Sequence, residues 1–200
     1  MKNILPIIIG LLILSCAQTN EPKKANQQTK PIHLENEKGD EKTEIVGSDL
    51  QGKVFEIGSK THYTDNCSFY FECDCCSGEL IFNSDSTFYY IDYCMSDETV
   101  RKGNFILENN ICVLEYGAEC VMKKYNFDRE LDTTAVEYFK TDTILKTITV
   151  EYLASMCDSK ILLVDKINGE YAIEKSLDYY SAIKYLKEEK YIDRINNLED

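Results

Sequence analysis

The stretch ELIFNSDSTFYYIDY, residues 79–93, gives the clearest indication of the fold. Two runs rich in apolar, β-branched and aromatic side chains flank the polar segment Asn83-Ser84-Asp85-Ser86. Strand-forming runs separated by a few turn-forming residues are typical of a β-hairpin. If Asn83 pairs with Ser86, Phe82 lies opposite Thr87 and the strands continue outward in that register.

This register also brings cysteines together at the far end of the hairpin. Cys75 falls opposite Cys94, and directly opposed residues have Cβ atoms within disulfide reach. A bulge near Gly78 would place Cys76 there instead. The sequence therefore predicts a bond from Cys94 to Cys75 or to Cys76.

Similar strand-like runs continue on both sides of the hairpin, separated by turn signals. They occupy residues 53–57, 67–72, 104–107, 111–115, 120–127, 144–152, 160–165 and 170–174. This spacing predicts a mostly β domain over residues 49–175, an antiparallel meander barrel or sandwich of about 8–10 strands. After it, Ser176-Leu177-Asp178 is typical of a helix N-cap, so a C-terminal helical segment is predicted over 176–200.

The beginning of the chain has the pattern of an export signal. A basic Lys2 precedes the apolar run from Ile4 to Leu14, and Ser15-Cys16 follows. The pattern resembles the lipobox of bacterial lipoproteins, which implies a signal peptide over residues 1–15 and acylation of Cys16, for example with palmitate. Residues 16–48 are polar and aperiodic, so a disordered tether is expected after the lipidated cysteine. The residue after Cys16 is Ala17 and not the aspartate that resembles an inner-membrane retention signal. The outer membrane is therefore favoured, with the protein facing the periplasm.

The charge of the chain limits its partners. The formal net charge is −13, and such a surface should repel nucleic acid. It suits a cationic partner, including a basic protein.

The remaining eight cysteines are an even number in an exported chain, which favours disulfides. They are Cys67, Cys73, Cys75, Cys76, Cys94, Cys112, Cys120 and Cys157. A three-residue loop ending at Gly117 would place Cys112 opposite Cys120, so a second hairpin bridge is predicted there. The sequence does not assign partners to Cys67, Cys73, Cys157 and whichever of Cys75 and Cys76 is not bonded to Cys94.

A thiolate metal or redox site is the alternative for the densest cluster. Cys73, Cys75 and Cys76 place three thiols within four residues, and thiolates suit Cu(I) or Zn(II). The spacing is not that of a standard zinc finger, so no metal and no cofactor are predicted in the leading interpretation.

The β domain is similar to the small lipocalin-like domains of bacterial lipoproteins. The similarity lies in the segments Leu50-Gln51-Gly52-Lys53-Val54-Phe55, Asp85-Ser86-Thr87-Phe88, Lys102-Gly103-Asn104-Phe105 and Asn109-Asn110-Ile111. This resemblance implies a barrel that binds a small apolar ligand at its mouth. Separately, Cys73-Asp74-Cys75-Cys76-Ser77-Gly78 resembles a motif of the envelope stress lipoprotein linked to copper resistance, which implies a stress-sensing role.

These observations predict a non-enzymatic lipoprotein of the cell envelope that binds a small ligand or supports the envelope. The chain contains two histidines and shows neither a nucleophile-elbow nor a zinc-protease motif, which argues against an enzyme. Two alternatives remain at this stage. One is the copper-type sensor, and the other is an inhibitor of a basic enzyme such as lysozyme, supported by charge alone.

Overall fold

The computed structural model describes residues 44–70, 76–94, 97–124, 126, 134, 138–143 and 147–198. The predicted signal peptide, Cys16 and most of the predicted tether lie outside these residues. No helix within them is both long and apolar enough to cross a membrane. The elements are α1 (Gly47–Leu50), β1 (Val54–Ser59), β2 (Tyr63–Thr64), β3 (Ser68–Phe69), β4 (Cys76–Phe82), β5 (Thr87–Cys94), β6 (Asp97–Glu108), β7 (Ile111–Lys124), β8 (Tyr138–Thr143), β9 (Ile148–Cys157), β10 (Lys160–Asp165), β11 (Glu170–Glu174), α2 (Tyr179–Glu188) and α3 (Tyr191–Asn196).

Eight of the described strands close into an antiparallel barrel. The order around the ring is β1-β4-β5-β6-β7-β9-β10-β11, and β11 pairs again with β1. The long strand β7 uses its first half to pair with β9 and its second half to pair with β8. Strand β8 therefore lies beyond the ring, along the line of β9. The prediction of a mostly β antiparallel barrel with a C-terminal helix is confirmed.

One end of the barrel is filled and sealed. Phe82 packs edge-to-face against Phe55 and Phe105, with ring centroids 5.3 and 4.8 Å apart. Leu50 of α1 is fully buried against these rings, and the Ile45 N–H donates to Asn110 Oδ1 at 2.8 Å. Ile45 falls within the segment expected to be a tether, so the packed fold begins earlier than the predicted residue 49. The apolar pair Ile45-Val46 in a polar segment gave no periodic signal.

The C-terminal helices cover part of the outer face of the barrel. Alternation along the strands points a second set of apolar side chains outward, and these meet Leu186, Tyr191 and Ile195 of the helices. The Asp178 side chain accepts from the Tyr180 N–H and caps α2, so the cap lies within the predicted segment 176–178 but at Asp178, which was expected in the first turn. The hydroxyls of Tyr185 and Tyr191 both donate to Glu98 on β6.

The hairpin at 79–93 forms, with a register one residue from the predicted one. Phe82 lies opposite Phe88 rather than Thr87. The extra turn residue is accommodated because Ser86 adopts a left-handed backbone with φ 64°, while Asp85 accepts from the N–H and hydroxyl of Thr87. Cys76 consequently lies opposite Cys94 and is bonded to it, with Cα atoms 4.0 Å apart. The Cys75–Cys94 pairing is wrong, and Cys76 takes its place through the turn rather than through a bulge at Gly78.

The predicted Cys112–Cys120 bridge is also wrong. Both residues lie on the continuous strand β7, and both are buried free thiols. Gly117 does not reverse the chain. A Cβ there would lie 2.8 Å from the backbone oxygen of Lys102, so glycine permits a close approach of β6 to β7.

A short segment between β1 and β4 packs on the outside of the barrel. The Tyr63 ring contacts the Tyr171 ring on β11, with centroids 5.0 Å apart. Cys67 in this segment bonds to Cys157 at the end of β9, with Cα atoms 5.8 Å apart. Both cysteines were disulfide candidates with open partners, and the bridge fastens the segment across the sheet.

Candidate ligand site at the barrel mouth

The barrel end opposite α1 contains a pocket. Its volume is about 150 Å³. Each strand of a barrel alternates inward and outward side chains, so each contributes only one or two inward residues at this level. The lining consists of Ile57 from β1, Tyr90 from β5, Arg101 from β6, Tyr116 from β7, Ile148 and Val150 from β9, and Glu170 from β11.

Two tyrosines form one wall of the pocket and its transition to the core. The ring of Tyr116 lies edge-to-face with Tyr90 at 5.5 Å and with Phe88 at 5.1 Å. Burial is the main cause that raises the pKa of both tyrosine hydroxyls. Both hydroxyls therefore stay protonated at neutral pH and can donate or accept a hydrogen bond.

Arg101 places a cation in this wall. It lies opposite Tyr90 on one side and Cys120 on the other. Its Nη1 is buried and has no hydrogen-bond partner within the described part of the chain. A buried donor without a partner costs about 1–3 kcal/mol, and more when it belongs to a charged group. Such a group in a native protein requires an explanation, which a bound acceptor would supply.

Two carboxyl groups lie near this pocket, because Glu170 lines it and Asp92 lies on the same face of β5 as Tyr90. Asp92 lies on β5, two residues beyond Tyr90, and Glu170 lies at the start of β11. Burial raises the pKa of Asp92, while the nearby Arg101 charge acts in the opposite direction. Burial also raises the pKa of Glu170, and the charges of Asp165 and Asp92 raise it further. The pKa of Glu170 therefore responds to the charge of Asp92.

Asp165 has a structural role beneath this site. Only 2% of its surface is exposed. Its carboxylate accepts from the backbone N–H groups of Ile167 and Asn168 and from the Asn168 side chain, at 2.7 to 3.1 Å. These bonds hold the turn between β10 and β11, and the turn positions Glu170.

Stability is expected to depend on pH through Asp92 and Glu170. Each has a pKa that is higher in the folded chain than its ordinary value, so the folded state retains protons that the unfolded state releases. This stabilisation is present in full below about pH 4 and is lost as the pH rises through the raised pKa values. Asp92→Asn combined with Glu170→Gln should flatten the dependence and raise Tm by a few degrees at pH 7. Thermal unfolding from pH 3 to pH 8 measures both effects.

The matched control for this prediction is Glu108→Gln, because Glu108 is an exposed carboxylate at the opposite end of β6. Its profile should follow that of the unmodified chain. Identical pH profiles for the double variant and the unmodified chain would show that ionisation of Asp92 and Glu170 does not destabilise the folded state.

The cysteines predicted as site residues have separate positions. Cys76 and Cys94 form their bridge at the rim of the mouth, two residues beyond Asp92. Since the Cys76 sulfur is bonded to Cys94, the alternative that it acts as a metal-binding thiolate is wrong for this structure. Cys73 and Cys75 lie outside the described residues. Among the described residues, no group of three histidine, cysteine or acidic side chains is arranged to hold a metal ion.

The residues of the mouth were not predicted as a site. A signal was present in the alternation of Phe88, Tyr90 and Asp92, which places a carboxylate on the same face as core aromatics. Arg101 gave no comparable signal, because its strand was not predicted before residue 104.

No protein-family model matches this sequence, and no curated protein is significantly similar to it. Among solved structures, the fold is similar to that of a streptavidin-like protein from Bacteroides eggerthii. The two chains are 10% identical, with a TM-score of 0.46, over 73% of this chain and 93% of that chain.

Proposed function

We propose that this protein is a non-enzymatic binding protein that holds a small ligand in the mouth of its barrel. The observation that carries the proposal is the buried Nη1 of Arg101, which has no partner among the described residues and borders the pocket. An acceptor on a ligand would form a charge-assisted hydrogen bond with this nitrogen. Concave sites with mostly apolar walls and a few polar groups are the usual form of small-molecule sites.

The pocket limits the size of the bound part. An engineered protein cavity of about 150 Å³ accepts one benzene molecule, and the volume here is about 150 Å³. The filled half of the barrel beneath Tyr116 leaves no deeper extension, because Phe82, Phe88 and Phe105 occupy it. The site therefore suits one small molecule or the end group of a longer one.

The binding function is testable with a library of small molecules. The purified chain is screened by thermal shift, and each hit is measured by calorimetry against Arg101→Met. Loss of the guanidinium should weaken binding by roughly 10- to 100-fold, because a hydrogen bond to a charged group contributes about 1.5–3 kcal/mol.

Lys166→Met is the control, since Lys166 is an exposed cation outside the pocket lining. It should leave the affinity unchanged. Hits that bind Arg101→Met as tightly as the unmodified chain would contradict a site at the mouth, and so would a library without hits.

We further infer that a lipid on Cys16 anchors the protein in a bacterial envelope. The support is the apolar run Ile4 to Leu14 followed by Ser15-Cys16. Ala17 supports the outer membrane as the destination. Bridges such as Cys67–Cys157 suit an oxidising compartment.

Replacing the anchor residue tests this proposal. In a bacterial host, the unmodified chain should sediment with membranes, and its mass should be that of an acylated chain beginning at Cys16. Cys16→Ser should move the protein to the soluble fraction or leave it unprocessed, without the acyl mass. Ser15→Ala keeps a small residue before the cysteine and should behave like the unmodified chain. Membrane association of Cys16→Ser with an unchanged mass would exclude lipid anchoring at this position.

A further inference from the structure

The side chains around the mouth restrict the chemistry of the ligand, and this inference rests on the proposed binding function. We propose that the ligand is a small dipolar molecule whose carboxylate, or a similar planar anion, binds Arg101 and whose ammonium group lies between Asp92 and Glu170. A free amino acid or a related amino-carboxylate has this chemistry.

The anionic end is assigned by the guanidinium. Arg101 Nη1 is a buried donor without a described partner, at the wall of the pocket. A guanidinium presents donors in a planar fork that matches the two oxygens of a carboxylate. Tyr90 and Tyr116 also line the pocket and their hydroxyls remain protonated, so they are further hydrogen-bond donors for an anion bound there.

The cationic end is assigned by the two carboxyls. Neither Asp92 nor Glu170 forms a hydrogen bond or an ion pair with another side chain in the described ranges of the chain, although Glu170 lines the pocket and Asp92 lies on the Tyr90 face of β5. One guanidinium cannot balance two carboxylates, so the ionised mouth has a surplus negative charge. An ammonium group between them would offset the Asp92 charge that raises the pKa of Glu170.

The apolar part of the lining fits a short aliphatic or aromatic group between the charges. Ile57 is 7% exposed, and with Val150 and Ile148 it faces the tyrosine wall. A purely apolar ligand would leave the buried Arg101 Nη1 without a partner, which is unfavourable. A purely anionic ligand would meet two like charges at the opening.

The test uses the purified full chain and a graded set of probes. The set contains free amino acids with charge separations from the α to the ε position, each together with its amide and its N-acetyl derivative. The amide lacks the anionic end, and the N-acetyl derivative lacks the cationic end. Calorimetry should show at least one dipolar probe that binds about tenfold or more tightly than both of its derivatives.

Variants then assign each end of the ligand to its residue. Arg101→Met should remove the preference for the free acid over the amide and retain the preference for the free amine. Asp92→Asn combined with Glu170→Gln should show the reverse pattern. This crossed design separates a direct contact from general damage to the fold, because damage would weaken all probes alike.

Two results would overturn the inference in distinguishable ways. If neutral or anionic library molecules bind in an Arg101-dependent manner and no dipolar probe does, the binding function stands and the ligand class is wrong. If dipolar probes bind but both variants lose all probes equally, the assignment of the two ends is wrong. If nothing in the library or in the probe set binds, the binding function fails together with this inference.

Discussion

Removal of the Cys67–Cys157 bridge by the double substitution Cys67→Ser/Cys157→Ser is expected to lower the free energy of unfolding by about 4–5 kcal/mol. The bridge closes a loop with a sequence separation of 90. In the chain-entropy description, a cross-link stabilises mainly by restricting the unfolded chain, and its contribution grows with the logarithm of loop length. Denaturant unfolding of the oxidised proteins measures the difference.

The second bridge of the described residues provides the matched comparison. Cys76 and Cys94 are separated by 18 residues, so Cys76→Ser/Cys94→Ser should cost about 3 kcal/mol. The order of the two effects is the decisive observation. A larger loss for the shorter loop would mean that native packing around the mouth, rather than chain entropy, dominates the contribution of the bridges.

The substitution Gly103→Ala is expected to destabilise the barrel by at least about 3 kcal/mol. A Cβ at Gly103 would clash with the backbone oxygen of Glu115 on β7 and would lie 2.7 Å from the Phe88 ring. Backbone on one side and a buried core ring on the other leave no flexible group that can yield. The close approach lies at the irregularity between Arg101 and Gly103, where the pairing of β6 with β7 shifts.

Gly47→Ala is the control for this prediction. A Cβ at Gly47 has no atom within 4 Å, and the residue lies in the short helix α1. The substitution should be neutral or slightly stabilising, because alanine restricts the unfolded chain more than glycine does. Equal stabilities of the two variants in urea would show that β6 and β7 can separate at the irregularity without cost.

The fold class was predictable because strands and turns have local sequence patterns that can be recognised. In residues 79–93, the strand residues and the turn residues are adjacent in sequence, so the hairpin follows from local chemistry. The register was not fixed to the residue. A left-handed serine at Ser86 lengthens the turn by one residue, and serine carries no strong signal for that conformation.

Gly117 shows why a turn signal can mislead. Glycine is common in turns, but it is also required where two backbones approach closely. The second reason applies here, because the backbone oxygen of Lys102 occupies the space of a Cβ. The even number of cysteines likewise did not imply that all of them pair. Burial raises the pKa of the Cys112 thiol to about 12, so this residue behaves as a small apolar core residue.

The candidate site was not predictable, because its residues come together only when the strands close into a barrel. Arg101 and Glu170 are distant in sequence and lie on strands that are not neighbours in the barrel. Their meeting at the mouth depends on the order and register of the strands around the barrel, which local sequence patterns do not give. The alternation of Phe88, Tyr90 and Asp92 was available in the sequence, but it does not show which residues lie across the mouth from Asp92.

The seal formed by Leu50 and Ile45 has a kinetic consequence. Because α1 closes one end of the barrel, the opening at the other end is the route that the described residues leave for a bound molecule to enter and to leave. The residence time of a bound molecule then depends on the side chains that border the mouth of the barrel. Ile148 is 41% exposed, Glu170 is also exposed, and both line the pocket, so both border this opening. Bulkier or smaller residues at 148 should therefore alter the dissociation rate more than the equilibrium affinity.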